Sequence, residues 1–176
     1  MSRGKTANYR GYIAQQYELV RNKSDQVITH LSVLDFAIGV WQTEAVKPLT
    51  HVLKNSANQI ASRPSAPSPA AAIIMQISER FQRLANNEIW PLREELHAKY
   101  ETMGEFPDDV TSAVNKIRQW SSEIGEMAQS IAELSDWHPN ERETMMLIAR
   151  MLADLRDDMV EVLAILDAVG PRNRVR

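Results

Sequence analysis

A heptad stripe in the first quarter of the chain constrains its fold more than any other feature. Ile13, Tyr17, Val20, Ser24, Val27, Leu31, Leu34, Ile38, Trp41 and Ala45 alternate spacings of four and three. That spacing keeps side chains on one face of an α-helix and repeats the face along a rod. Nothing interrupts the stripe before Pro48. Some forty residues at about 1.5 Å each make a rod of roughly 60 Å. Pro48 is expected to kink or break it, because proline lacks a backbone donor and its ring crowds the preceding turn. Leu49, Val52, Leu53, Ala57 and Ile60 carry a short continuation.

Three further stripes follow. Residues 63–69 are rich in proline and serine and read as a loop. Ser68-Pro69 then offers a capping hydroxyl followed by a proline at the first helical position. Ile74, Ile77, Phe81, Leu84, Leu92, Leu96, Tyr100 and Met103 line the second stripe, with a bend expected at Pro91 and a stop at Gly104. Pro107-Asp108-Asp109 opens a third helix, where carboxylates suit the N-terminal dipole. Its stripe is Val110, Val114, Ile117, Ser121, Ile124, Ala128, Ile131 and Leu134, broken by His138-Pro139. Asn140 with Glu143 resembles a capping box for a fourth helix carrying Ile148, Met151, Leu152, Leu155, Met159, Leu163 and Leu166. Gly170-Pro171 stops it.

The expected fold is therefore all-α: an antiparallel up-down bundle of four long helices, the first kinked or broken at Pro48. One domain is expected over residues 1–176, with helices near 6–46, 48–61, 69–103, 107–136 and 140–169 and basic tails at 1–5 and 171–176. Within it, Trp90 and Trp120 flank the turn near Phe106 at similar distances, which would place them in one layer. Glu44 to Leu53 and Glu88 to Leu96 share a glutamate, a Pro-Leu pair and a leucine four residues later, although the Glu-to-Pro spacing differs.

Composition narrows the chemistry. A chain of 176 residues without cysteine has no disulfide, thiolate or cysteine-based zinc chemistry. The formal charge of −3 gives no strong field toward nucleic acid or a membrane surface. The N-terminus lacks the apolar core of a signal peptide, and the apolar run from Val27 to Trp41 is too short and too charged to span a bilayer. A cytoplasmic protein without a membrane span is the expectation.

Several acidic groupings invite a chemical reading. Glu94 and His97 have the Glu-x-x-His spacing that ferritin-like di-iron bundles use twice, together with two further glutamates; here it occurs once, and Glu94 points away from the apolar stripe. Asp157-Asp158-x-x-Glu161 resembles the aspartate-rich, magnesium-holding motif of prenyl-diphosphate enzymes, over five residues. With Asp154 these carboxylates share the helix face opposite Leu152, Leu155, Met159 and Leu163, as a solvated exterior does. Glu123-x-x-Glu126 and Glu133-x-x-Asp136 resemble the acidic motifs of helical nucleotide pyrophosphohydrolases, but that family puts its two motifs on different helices and this chain puts both on one. No catalytic residue, metal ligand or cofactor is assigned. Of the methionines in the last helix, Met151 and Met159 are expected in the core, with Met145 and Met146 left open between core and an adaptable surface.

The most informative departure lies in the first helix. With Leu31, Leu34, Ile38 and Trp41 facing inward, Val33, Phe36 and Val40 point elsewhere, flanked by Ala37. A second apolar face needs a second cover. A second copy, a different protein, or residues 48–61 folded back as a fifth helix could supply it. The expected function is a non-enzymatic structural or adaptor subunit, associating with itself or another protein through Val33, Phe36, Ala37 and Val40. An alternative is a nucleic-acid-associated subunit, in which Arg3, Lys5, Arg10, Arg172, Arg174 and Arg176 meet at one end of the bundle as a polyanion site. A metal-dependent phosphohydrolase using the acidic helix residues comes third.

Overall fold

A computed structural model describes residues 25, 29, 31–62, 68–102, 106–135, 137–139 and 141–169. They form four helices, and no strand occurs among the described residues. We call α1 the helix over 31–61, α2 that over 69–102, α3 Phe106–Ala132 and α4 Arg142–Val169. None of them is long and apolar enough to cross a membrane.

Cross-helix pairs set the directions. Asp35 of α1 faces Arg93 and His97 of α2, while residues 54–61 of α1 lie beside 75–87, nearer the connecting loop. Arg80 of α2 approaches Glu123 and Glu126 of α3, and Glu88 meets Trp120. Arg156 of α4 lies against Gly125 of α3. The α1–α2 and α2–α3 pairs thus run antiparallel, α4 packs along α3, and α4 also packs on α1. Leu31, Leu34, Ile38, Phe81, Ile117, Trp120, Ile124, Leu152 and Met159 lie fully buried at its centre. Met145 joins this core, Met151 packs at its edge and Met146 is exposed.

The helix starts and stops have local causes. Ser68 has an extended backbone and its Oγ accepts from the amide of Ala71 at 3.1 Å, so α2 begins as the Ser-Pro pair implies. The third helix ends at Ala132, four residues short of the expected stop, and Leu134 lies half-buried beyond it. Leu134 is held there by its backbone N–H, which donates a hydrogen bond to the carbonyl of Ile131, a tightened last turn. The fourth helix begins at Arg142, where Glu141 is buried and its carbonyl accepts from the amide of Met145. Asn140, Tyr100 as a side chain, Met103, Gly104 and the stripe positions before Asp25 lie outside what is described.

Neither interior proline ends its helix. α1 passes through Pro48 by way of a π turn at Trp41–Val46, and α2 passes through Pro91 by way of another at Ala85–Ile89. In each, an amide donates five residues back: Lys47 to the carbonyl of Gln42, Trp90 to that of Ala85. The stripes explain why. Trp41 to Leu49 and Leu84 to Leu92 are each eight residues apart, one more than a heptad. A π turn absorbs one extra residue and returns the next leucine to the inward face. In both helices the proline stands immediately before that leucine and two residues after the π turn. There the widened backbone relieves the clash with the carbonyl four back, and proline has no N–H to leave unpaired. Because Asp35 faces Arg93 and His97, the two π turns lie at the same level of the α1–α2 hairpin.

The folded-back fifth helix does not form. Residues 47–61 continue α1 and pack against Pro69–Leu84, leaving the second apolar face of α1 without a cover from that segment.

Candidate functional site

That second face lines a groove of about 600 Å³ between α1 and α4. Helical spacing builds its first wall: Val33, Phe36 and Val40 recur at three and four residues on the flank of α1 opposite its core stripe. Phe36 is 73 % exposed, the most accessible of the large apolar residues among those described. Val33 and Val40 are half-buried on either side of it. Ala37, expected at the contact surface, is only 8 % exposed and belongs to the core; it contributes to the floor with Trp41, not to the rim. The smallness of alanine at 37 leaves the depression, and the π turn beginning at Trp41 marks the groove's end on α1.

The other wall is α4. Val162 continues the apolar lining, and Asp158 and Glu161 stand beside it. Ile165 is 48 % exposed and lies one turn beyond Glu161 on the same face. The acidic cluster is thus exposed, as expected of a bundle exterior, but two of its carboxylates border an apolar groove instead of open solvent alone. Burial pushes the Asp158 carboxyl above its ordinary range, and repulsion from Glu161, Asp154 and Asp157 adds to this. Asp157 pairs with Arg156 at 2.7 Å; among the described residues no cation pairs with Asp158 or Glu161. Sequence reasoning placed Asp158 and Glu161 opposite the core correctly. It missed their place beside Phe36, because a helical wheel shows one helix at a time and the groove belongs to two.

The remaining candidate groups separate in space. Glu94 is exposed, while His97 turns inward to Asp35, Nδ1 to Oδ2 at 3.5 Å, beside Arg93 at 3.6 Å from Oδ1. The Glu-x-x-His pair is therefore split between solvent and an interhelical charge cluster. Glu123 and Glu126 both face Arg80 of α2. Among the described residues no three His, Asp or Glu side chains converge to hold a metal ion. Trp120 is fully buried and its Nε1 donates to Glu88 at 3.2 Å, so it lies at the level of the α2 turn that carries the half-buried Trp90. Arg3, Lys5, Arg10, Arg172, Arg174 and Arg176 fall outside the described residues.

Comparison of the chain with protein-family models, with curated proteins and with solved structures gave no match.

Proposed function

We propose that this protein is a non-enzymatic assembly or adaptor subunit that docks a protein, another one or a second copy of itself, on the groove between α1 and α4. One observation carries the reading: a phenylalanine 73 % exposed at the centre of an apolar face, on a helix whose opposite side is anchored in the core. Removing apolar area from water is worth about 25 cal/mol per Å², so a contiguous apolar groove favours being covered. The surrounding geometry also suits docking. The face is held by well-packed helices, so a partner would meet a preformed surface and lose little ordering entropy. Apolar anchors in a pocket with charge at the rim are the usual anatomy of a protein interface.

The test is association measured with and without Phe36. Light scattering gives the mass of the purified chain, and affinity capture from the native host gives its partner. Phe36→Ser together with Val40→Ser should abolish the association while leaving thermal unfolding unchanged. A monomeric wild type that captures no protein overturns the reading, and so does an association that survives both substitutions.

A further inference from the structure

We propose that the occupant of the α1–α4 groove is an amphipathic helix of another protein carrying Lys or Arg beside its apolar face. This rests on the docking reading above and adds the chemistry of the partner. Secondary structure comes first. The groove lies between two helices, whose backbone groups are engaged in their own hydrogen bonds, so an extended peptide would find no edge to pair with. A helix needs none, and its apolar side chains at three- and four-residue spacing match the stagger of Val33, Phe36 and Val40. Those residues cover about 10 Å of rise, roughly two turns of a partner helix.

Charge comes next. Asp154, Asp158 and Glu161 recur at four and three residues along α4, with Ile165 continuing the row. Asp158 and Glu161 border the groove and have no cationic partner among the described residues. An occupant bearing Lys or Arg on the α4 side would supply one. The same row disfavours two-fold pairing of this face with itself about an axis across the helices, which would set one acidic row against another, and disfavours an anionic lipid surface.

The experiment uses three fluorescein-labelled synthetic helices of about 18 residues with the full chain. One has leucine at heptad core positions flanked by lysine, the second has the same leucines flanked by glutamate, and the third keeps lysine but replaces leucine by serine. Anisotropy titrations at about 0.05 M and about 0.5 M salt are paired with light scattering of the chain alone. The lysine-flanked leucine peptide should bind saturably, and the glutamate-flanked one about tenfold or more weaker at low salt, the value for two weak ion pairs gained or lost. The gap should shrink at high salt as screening shortens the reach of the charges. Asp158→Asn with Glu161→Gln should weaken the lysine peptide about tenfold, Phe36→Ser should remove its binding, and the serine peptide should not bind. Equal binding of both leucine peptides, lost in Phe36→Ser, overturns the basic partner and leaves the docking reading standing. No peptide binding, with a Phe36-dependent dimer of the chain alone, makes the occupant a second copy and overturns the inference only. No binding and a monomeric chain overturn both.

Discussion

The indole Nε1 of Trp120 donates a hydrogen bond to Oε1 of Glu88 at 3.2 Å, joining α3 to the π turn of α2 across 32 residues of chain. Trp120 is fully buried, so its N–H has few other partners to turn to, whereas Glu88 lies at the surface. Replacing Glu88 by alanine should therefore destabilise the fold by about 1–2 kcal/mol, the usual penalty for a buried donor left without its acceptor. Glutamine keeps an acceptor oxygen in reach and should lose less than about half of that. Urea unfolding of the two variants separates the cases; equal effects of alanine and glutamine would show that the carboxylate's charge, not the hydrogen bond, matters.

The π turns make a second prediction. If the turn at Ala85–Ile89 exists to absorb one residue, deleting the exposed Asn86 should convert it to ordinary α-helix and keep Leu92 and Leu96 facing inward. The deletion would then leave Pro91 inside a regular helix, at a cost of about 3 kcal/mol. Adding Pro91→Ala to the deletion should return most of that loss. The expected pattern in denaturant melts is a destabilised deletion, a near-neutral Pro91→Ala in the full chain and a rescued double variant. Failure of rescue would mean that the extra residue is needed for more than phase.

Burial decided within one helix is legible in the residues alone, and burial decided between two helices is not. Leu31, Leu34, Ile38 and Trp41, and likewise Ile74, Ile77, Phe81 and Leu84, were legible because heptad spacing records a single inward face. The eight-residue steps to Leu49 and Leu92 were equally visible, but beside a proline they read as kinks or breaks, since a π turn has little local signature beyond that one surplus residue. Buried Ala85 and Ile89 escaped notice for the same reason. Phe36 stood out because it opposes the core face of its own helix. Ala37 did not resolve, lying at the boundary where the approach of α4 determines exposure. The end of α3 at Ala132 was missed because apolar Leu134 continues the stripe after the helix has stopped.

Phe36 and Ile38 should therefore respond oppositely to truncation, although they are two residues apart. Ile38 is fully buried in the core, and Ile38→Ala should cost about 2–5 kcal/mol through lost transfer energy and the cavity left behind. Phe36 is mostly in solvent, and Phe36→Ser should change stability of the isolated chain by no more than about 0.5 kcal/mol. A loss of several kcal/mol at Phe36 in the monomer would show that its ring is covered within the chain, which removes the basis for a docking face.

Gly39 offers a stabilising change on the side of α1 that faces α2. It sits in the middle of α1 with ordinary helical surroundings, where glycine costs up to about 1 kcal/mol relative to alanine. A Cβ added there would meet only the Arg93 guanidinium, at 3.6 Å from Nε and 3.9 Å from an Nη, normal contact distances on a movable side chain. Gly39→Ala should raise stability by about 0.5–1 kcal/mol, visible as a rise in Tm of about 1–4 °C. A fall would mean that the 3.6 Å approach of Asp35 to Arg93 depends on the guanidinium lying across a bare backbone.

Asp158 ties the groove to pH. Burial first, then Glu161, Asp154 and Asp157, raise its pKa above the ordinary carboxylate value. The folded chain therefore holds this proton to higher pH than the unfolded chain does. Its favourable contribution is complete below the ordinary value and is lost as pH rises through the raised one, so this group destabilises the fold toward neutrality. Asparagine cannot ionise. Asp158→Asn should match the wild type in acid and become the more stable of the two as pH climbs through the Asp158 titration, a divergence that urea melts across pH will show. A cation docked at the groove would act in the opposite sense, stabilising the carboxylate and lowering its pKa. Carbon-detected NMR titration of the Asp158 carboxyl should thus move to lower pH when the lysine-flanked peptide is added, and peptide affinity should fall as the solution is acidified through that value. An Asp158 titration unmoved by saturating peptide would place the bound lysines away from α4.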